Sequence, residues 1–224
     1  MFRLISLLAL GATAVSAEKK LCAKFDYDDL KAMVVVKQSD SECALNVARW
    51  EVEFSEFNDD LCPGGLLNWH VHQYAGDGIR NVGDKGNAPG CNADVTGGHF
   101  DPTFACGSAS QNVGNQVCSM LRSQDQTPIN SDNGVVLGPD YKCSTTDQSY
   151  CEIGDQSGKL GKLTATVPSS SRRLKKGKKS KNQKFDDNWI TPITNLENRS
   201  LVLHCCNKDG CGARLACATL EEVV

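Results

Sequence analysis

The chain has only four histidines, His70, His72, His99 and His204. Two of them share the stretch Asn68-Trp69-His70-Val71-His72-Gln73. On a β-strand, residues i and i+2 point to the same face. His70 and His72 are therefore neighbours on one face, with Trp69 and Val71 on the other. Two imidazoles on one strand face are half of a metal site. An isolated His-x-His pair is more often two solvent-facing or hydrogen-bonded side chains. The scarcity of histidine, together with the pairing, argues for the site. Of the other two, His204 ends the apolar run Leu201-Val202-Leu203, and His99 sits in Thr96-Gly97-Gly98-His99-Phe100-Asp101-Pro102.

The segments that must position these residues read as strands. Ala32-Met33-Val34-Val35-Val36 is rich in β-formers. Val47 to Phe54 alternates apolar and polar residues, the mark of a half-buried strand. Pro63-Gly64-Gly65 breaks the chain before the strand Leu66 to His72. Strand character returns over Leu160 to Val167, Phe185 to Thr194, Leu201 to His204 and Ala213 to Ala218. No segment has a convincing 3.6-residue period, so the expected core is all-β, a sandwich or barrel of short antiparallel strands. Residues 75 to 158 differ, being dominated by Gly, Asn, Asp, Ser and Pro. A polar loop of that length is expected to be functional or stapled, with a short helix over Asn112 to Arg122.

Met1-Phe2-Arg3, the apolar run Leu4 to Leu10 and the small residues ending at Ala17 read as a secretory signal peptide, residues 1–17. One domain then spans residues 18–224. The chain has twelve cysteines, none in the Cys-x-x-Cys spacing of a zinc cluster, and in an exported chain they read as a disulfide framework. Loop proximity pairs Cys22 with Cys43, and Cys106 with Cys143 or Cys151. Cys205 and Cys206 face opposite sides of a strand and need different partners. Between Arg172 and Lys184 lie eight basic residues and no acidic one, so the formal charge of −3 hides an acidic body with one basic segment. Residues 170–184 read as a basic, flexible insertion. Asn198-Arg199-Ser200 is an N-glycosylation sequon.

Taken in order, His70-Val71-His72, Cys91, Gly98-His99-Phe100-Asp101-Pro102, Gly154-Asp155, Leu203-His204 and Gly212-Ala213-Arg214-Leu215-Ala216-Cys217 resemble the copper/zinc superoxide dismutase family over nearly the whole mature chain. The resemblance implies a Greek-key β-barrel of about eight antiparallel strands with long disulfide-stapled loops. It implies that His70, His72 and His204 bind copper and that His99 matches the histidine bridging copper and zinc. It makes Arg214 the guanidinium that attracts superoxide, and Cys91 with Cys217 the disulfide tying loop to barrel. The implied reaction converts superoxide to O2 and H2O2 by Cu(II)/Cu(I) cycling, with His99 released on reduction. Arg214 and His99 are thus the expected catalytic residues.

The departures matter as much. The family's two further zinc histidines have no counterpart, and only the zinc-site aspartate is kept, as Asp155. Cys151-Glu152-Ile153-Gly154-Asp155 looks like the copper-only extracellular branch known in fungi and oomycetes. His99 and Asp155 fall short of zinc's usual four ligands, so copper without zinc is expected. Glu152 is then free to accept the second ring N–H of His99 and orient it. The expected protein is secreted and extracellular and acts on superoxide, with no nucleic acid partner and no transmembrane segment; the sequence leaves the oligomeric state open, with a monomer favoured. The basic run Arg172 to Lys184 offers a contact to anionic cell-surface material or polysaccharide. Competing readings are a non-catalytic extracellular copper-binding protein on the same fold and a cupin-like metalloprotein. The cupin reading has Gly64 spaced before His70-x-His72 in its favour. Against it, Asp77 stands where a glutamate belongs, and no second motif surrounds His99. A three-histidine site like that of carbonic anhydrase leaves the fourth histidine and Arg214 unexplained.

Overall fold

A computed structural model of the chain describes residues 18–39, 47–118, 129–130, 136–137, 141, 143–165, 182–207 and 210–223. The expected signal peptide, Cys43 and the basic residues Arg172 to Lys181 lie outside these. Strands β1 (Glu18–Tyr27) and β2 (Leu30–Ser39) form a hairpin about Asp28-Asp29, and β3 (Ala48–Phe57) adds to β2. Their alternate residues are buried: Leu21, Ala23 and Phe25; Leu30, Ala32, Val34 and Val36; Ala48, Trp50, Val52 and Phe54. That is the period-two pattern of a sheet with one face on a core.

Next come β4 (Leu66–Val71), β5 (Gly78–Ile79), the single turn α1 (Ala93–Thr96) and the small pair β6 (Ile129–Asn130) and β7 (Val136–Leu137). They are followed by α2 (Gln156–Leu160), β8 (Leu163–Thr164), β9 (Gln183–Asp187), β10 (Ser200–Asn207) and β11 (Gly210–Glu222). The main sheet runs β8-β4-β10-β11-β1-β2-β3-β9, with β5 beside β11. Its pairings are all antiparallel. Consecutive strands β3 and β4 are not neighbours, nor are β9 and β10, which gives the Greek-key crossing of connections. The two end strands meet through one side chain. Gln183 donates Nε2–H to the Thr164 carbonyl at 3.1 Å, and its Oε1 accepts the Thr164 N–H at 2.9 Å. A side-chain amide thus stands in for a peptide group and nearly closes the barrel.

The core holds Trp50, Trp69, Phe25, Phe54, Leu201 and Leu203, with the Trp50 and Trp69 rings edge to face at 5.4 Å. Beneath the barrel's end lies a buried ion pair, Lys159 Nζ to Asp187 Oδ2 at 2.6 Å with both side chains fully buried. The ammonium also donates to the carbonyls of Ile153 and Trp189, both at 2.9 Å. It therefore ties the turn before α2 to the chain beyond β9.

Two expected strands are shorter than the sequence pattern implied. β9 stops at Asp187, and Ile193–Leu196 is a 3-10 turn instead, since Pro192 has no N–H to extend a ladder. Between Leu160 and Val167 the described pairing is Leu163–Thr164, because α2 runs to Leu160 and ends at Gly161 with φ +88°. In the long polar region, residues 116–118 are helical and the rest of the expected helix lies outside the described residues.

Disulfides staple this region, but not as loop proximity suggested: the bonds are Cys106–Cys118 and Cys143–Cys151. Each joins near neighbours in sequence, where closing the loop costs least entropy. Cys205 pairs with Cys62, and Cys206 with Cys211 across the β10–β11 hairpin, so the adjacent cysteines do take different partners. Cys91 is bonded to Cys217. Cys22 has no disulfide partner among the described residues.

Candidate metal centre

Both faces of β4 are buried toward its C-terminal end. Leu67, Trp69 and Val71 enter the barrel core, while His70 and His72 face outward beneath the long loops, 7% and 1% exposed. β10 lies beside β4 with Val202 opposite His70 and His204 opposite Asn68. The β10–β11 register shifts on either side of His204, which pairs with Arg214. Such a bulge re-aims side chains next to a site. His99 arrives from the loop. It forms a bridge with His72 on one side and Ser110 on the other, and the neighbouring Phe100 N–H bonds the Val71 carbonyl at 2.9 Å. Gly98 permits that approach, since a Cβ there would lie 2.7 Å from the Ala109 carbonyl oxygen. The loop beyond is folded around buried Asp101, whose carboxylate accepts the N–H groups of Ala105 and Cys106 and the Ser110 hydroxyl.

Three imidazoles converge. One ring nitrogen from each of His70, His72 and His204 lies within 4.8 Å of the others. The second nitrogen of two of these rings is hydrogen-bonded elsewhere. His72 Nδ1–H donates to the Gly97 carbonyl at 2.9 Å, and His204 Nδ1–H donates to the Gly212 carbonyl at 3.0 Å. His70 turns its Nε2 toward Asp155 Oδ1, 3.4 Å away. This leaves His72 Nε2, His204 Nε2 and His70 Nδ1 buried without a hydrogen-bond partner. Buried polar atoms without partners are rare and call for an explanation. A metal ion supplies one, because a ligating histidine hands its other nitrogen to a carbonyl or carboxylate in this way.

His99 stands beside this trio rather than within it. Its ring stacks on His70 at 4.1 Å between centroids and meets His72 edge-on at 5.1 Å. Its Nδ1 is hydrogen-bonded to Glu152 Oε2 at 2.6 Å. Burial first, then the neighbouring His99 imidazole, holds His70 and His72 well below the ordinary histidine pKa. Burial brings His204 down to about 4. The trio is therefore neutral at physiological pH, the state a metal requires. Burial pushes the Glu152 carboxyl up, and the His99 hydrogen bond opposes that.

Arg214 is half-buried and locked beside the histidines. Its Nη1 donates to the Cys91 carbonyl at 2.9 Å and to Thr96 Oγ1 at 2.6 Å, and Nη2 donates to the Gly97 carbonyl at 2.8 Å. Cys91 is in turn fixed by its bond to Cys217, and α1 by the Asn92 side chain, which accepts the Val95 N–H. The Gly97 carbonyl therefore receives both His72 and Arg214, which holds a permanent cation beside the histidines. A guanidinium has five N–H donors, and the three bonds to the protein leave others for an anion.

The residues singled out in the sequence thus come together: His70, His72, His99, His204, Glu152, Asp155, Arg214 and the cystine Cys91–Cys217. The sequence did not point to Thr96, to the carbonyls of Gly97 and Gly212, or to Tyr141, whose hydroxyl bonds Glu152 and Asp155. Backbone acceptors leave no mark on residue type, and Tyr141 sits in a region with no periodicity.

No family model matches the chain, and no curated protein matches it. Solved structures to which it is similar include those of a superoxide dismutase. They are Candida albicans Superoxide Dismutase 5 (SOD5) in the Cu(II) form and two point mutants of it. The Cu(II) form matches at 14% identity over 94% of each chain, with a TM-score of 0.46. A Glu-to-Ala mutant matches at 15% identity over 94% of this chain and 92% of its own, TM-score 0.45. An Asp-to-Asn mutant matches at 14% identity over 93% and 94%, TM-score 0.44.

Proposed function

We propose that the chain is a secreted, copper-dependent superoxide dismutase that works without a zinc site. The observation that carries this reading is the set of three partnerless, buried ring nitrogens of His70, His72 and His204. Imidazole donors suit copper, and His99 is the fourth ligand in this reading. Copper held there supplies one-electron exchange between Cu(II) and Cu(I), so that two superoxide ions and two protons become O2 and H2O2. The protein's own residues bind, orient and neutralise. Arg214 gives a fixed positive charge and spare N–H donors for a small anion. Glu152 fixes the tautomer of His99, and Asp155 sets a carboxylate beside the His70 ring.

The same contacts support the absence of zinc. His99 Nδ1 is taken by Glu152, and Asp155 by Gly158 N–H at 2.8 Å and the Tyr141 hydroxyl at 2.9 Å. Export fits five disulfides among the described residues. No helix among the described residues is long and apolar enough to cross a membrane. Lys184, the last residue of the expected flexible insertion, instead belongs to β9 and pairs with Glu51 of β3; the basic residues before it, Arg172 to Lys181, fall in sequence between β8 and β9, and we assign them to contact with anionic cell-surface material.

The test is to load the secreted chain with copper, zinc or both, and to measure metal content beside superoxide loss by stopped-flow. The expected result is full activity with copper alone and no gain from zinc. Stoichiometric copper without turnover would favour a non-catalytic copper-binding protein, and a zinc requirement would overturn the single-metal reading.

A further inference from the structure

Among the described residues, one group outside the metal ligands touches both carboxylate residues of the centre. The Tyr141 hydroxyl accepts the Glu152 N–H at 2.8 Å and donates to Asp155 Oδ2 at 2.9 Å. A phenol has one proton to give, so the direction of these bonds is fixed: the N–H can only donate to it, and it must donate to the carboxylate. The two contacts act on different histidines. With Oδ2 engaged, Asp155 presents Oδ1 to Gly158 N–H and toward His70 Nε2. With its backbone held, Glu152 reaches His99 Nδ1 through Oε2.

The surroundings show that the phenol is delivered there. Cys143 and Cys151 are bonded, closing the loop between Tyr141 and Glu152. On the far side of the turn the chain passes too close for a side chain. A Cβ at Gly154 would lie 2.3 Å from the Val71 carbonyl oxygen, and the Val71 N–H bonds the Gly154 carbonyl at 2.8 Å. The Tyr141 ring lies over Gly107, where a Cβ would meet Tyr141 Cδ2 at 3.3 Å and Glu152 Oε1 at 2.2 Å. The turn Glu152 to Asp155 is therefore gripped between β4 on one side and the phenol on the other.

We propose that Tyr141 is a positioning residue for the metal centre, and that its hydroxyl sets which oxygen of Asp155 faces His70 and where Glu152 meets His99. This rests on the reading of His70 and His99 as metal ligands. Residues that act on ligands from one shell out typically change metal affinity by 10–100-fold, and roughly tenfold is expected here.

Tyr141→Phe removes only the hydroxyl and keeps the ring. Two readouts test it. In the metal-free chain, 15N NMR of the imidazoles is expected to show the ring N–H signals of His70 and His99 shifted and exchanging faster with water. In the copper-loaded chain, the Cu(II) EPR spectrum is expected to change, with copper held about tenfold more weakly. A second variant, Cys143→Ser with Cys151→Ser, frees the loop that delivers the phenol and is expected to reproduce both changes. Unaltered imidazole signals in metal-free Tyr141→Phe would overturn the proposal. So would a parental EPR spectrum with parental copper affinity. A parent chain that fails to bind copper through nitrogen would instead sink the ligand assignment, and the metal-free NMR comparison would still decide the tyrosine's role.

Discussion

Lys159→Met alone is expected to destabilise the chain by about 3–5 kcal/mol, the usual result of stranding one charge of a buried pair. For a chain of this length that lowers Tm by roughly 6–20 °C. Asp187 would keep hydrogen bonds from Trp50 Nε1 at 3.2 Å and Trp189 N–H at 3.1 Å, but no counter-charge. Ile153 and Trp189 would lose a donor to their carbonyls. Pairing Lys159→Met with Asp187→Leu removes both charges, and an apolar replacement of a buried pair is often neutral. The double variant is therefore expected to recover most of the loss in a calorimetric melt. If the double variant were as unstable as the single one, the hydrogen bonds of the pair would matter more than its charge, namely those of Lys159 to the two carbonyls and those Asp187 accepts from Trp50 and Trp189.

The second large effect is kinetic. Arg214→Met in the copper-loaded chain is expected to slow superoxide consumption by roughly 10–100-fold, within the 10- to 1,000-fold by which charged clefts raise encounter rates. Its dependence on ionic strength should flatten as well. The substitution also removes the bonds to Cys91, Thr96 and Gly97, so lost charge and loosened loop must be told apart. Arg214→Lys keeps the charge on a flexible stem without the planar fork. It is expected to fall between parent and Met in rate and to retain the salt dependence. A rate unchanged in Arg214→Met, with copper content equal to the parent's, would show that the guanidinium only holds the loop.

The barrel was legible because its inner residues alternate. Trp50, Val52 and Phe54 in β3 declare one buried face. Strand ends were less legible. Phe185 to Thr194 has strand composition, yet Pro192 and the turn of Asn188 and Trp189 redirect the chain toward Cys151 and Gln38. The pair His70 and His72 was legible through residue type and spacing, and His99, His204 and Glu152 through the family resemblance. Disulfide partners within the long loop were not, since many pairings satisfy proximity in sequence and only the folded path selects one. Nor were Tyr141, the Gly97 carbonyl and the Lys159–Asp187 pair. Each acts across long sequence separations through one or two atoms, which composition and periodicity cannot register.

In the proposed centre His70 Nδ1, His72 Nε2 and His204 Nε2 ligate copper. The most direct test is Cu(II) EPR on the chain with one equivalent of copper, beside His70→Ala, His72→Ala and His204→Ala. A single copper species with hyperfine splitting from several nitrogens is predicted for the parent, lost or replaced in each variant. A parental spectrum that survived these substitutions would place the copper elsewhere and contradict the assignment.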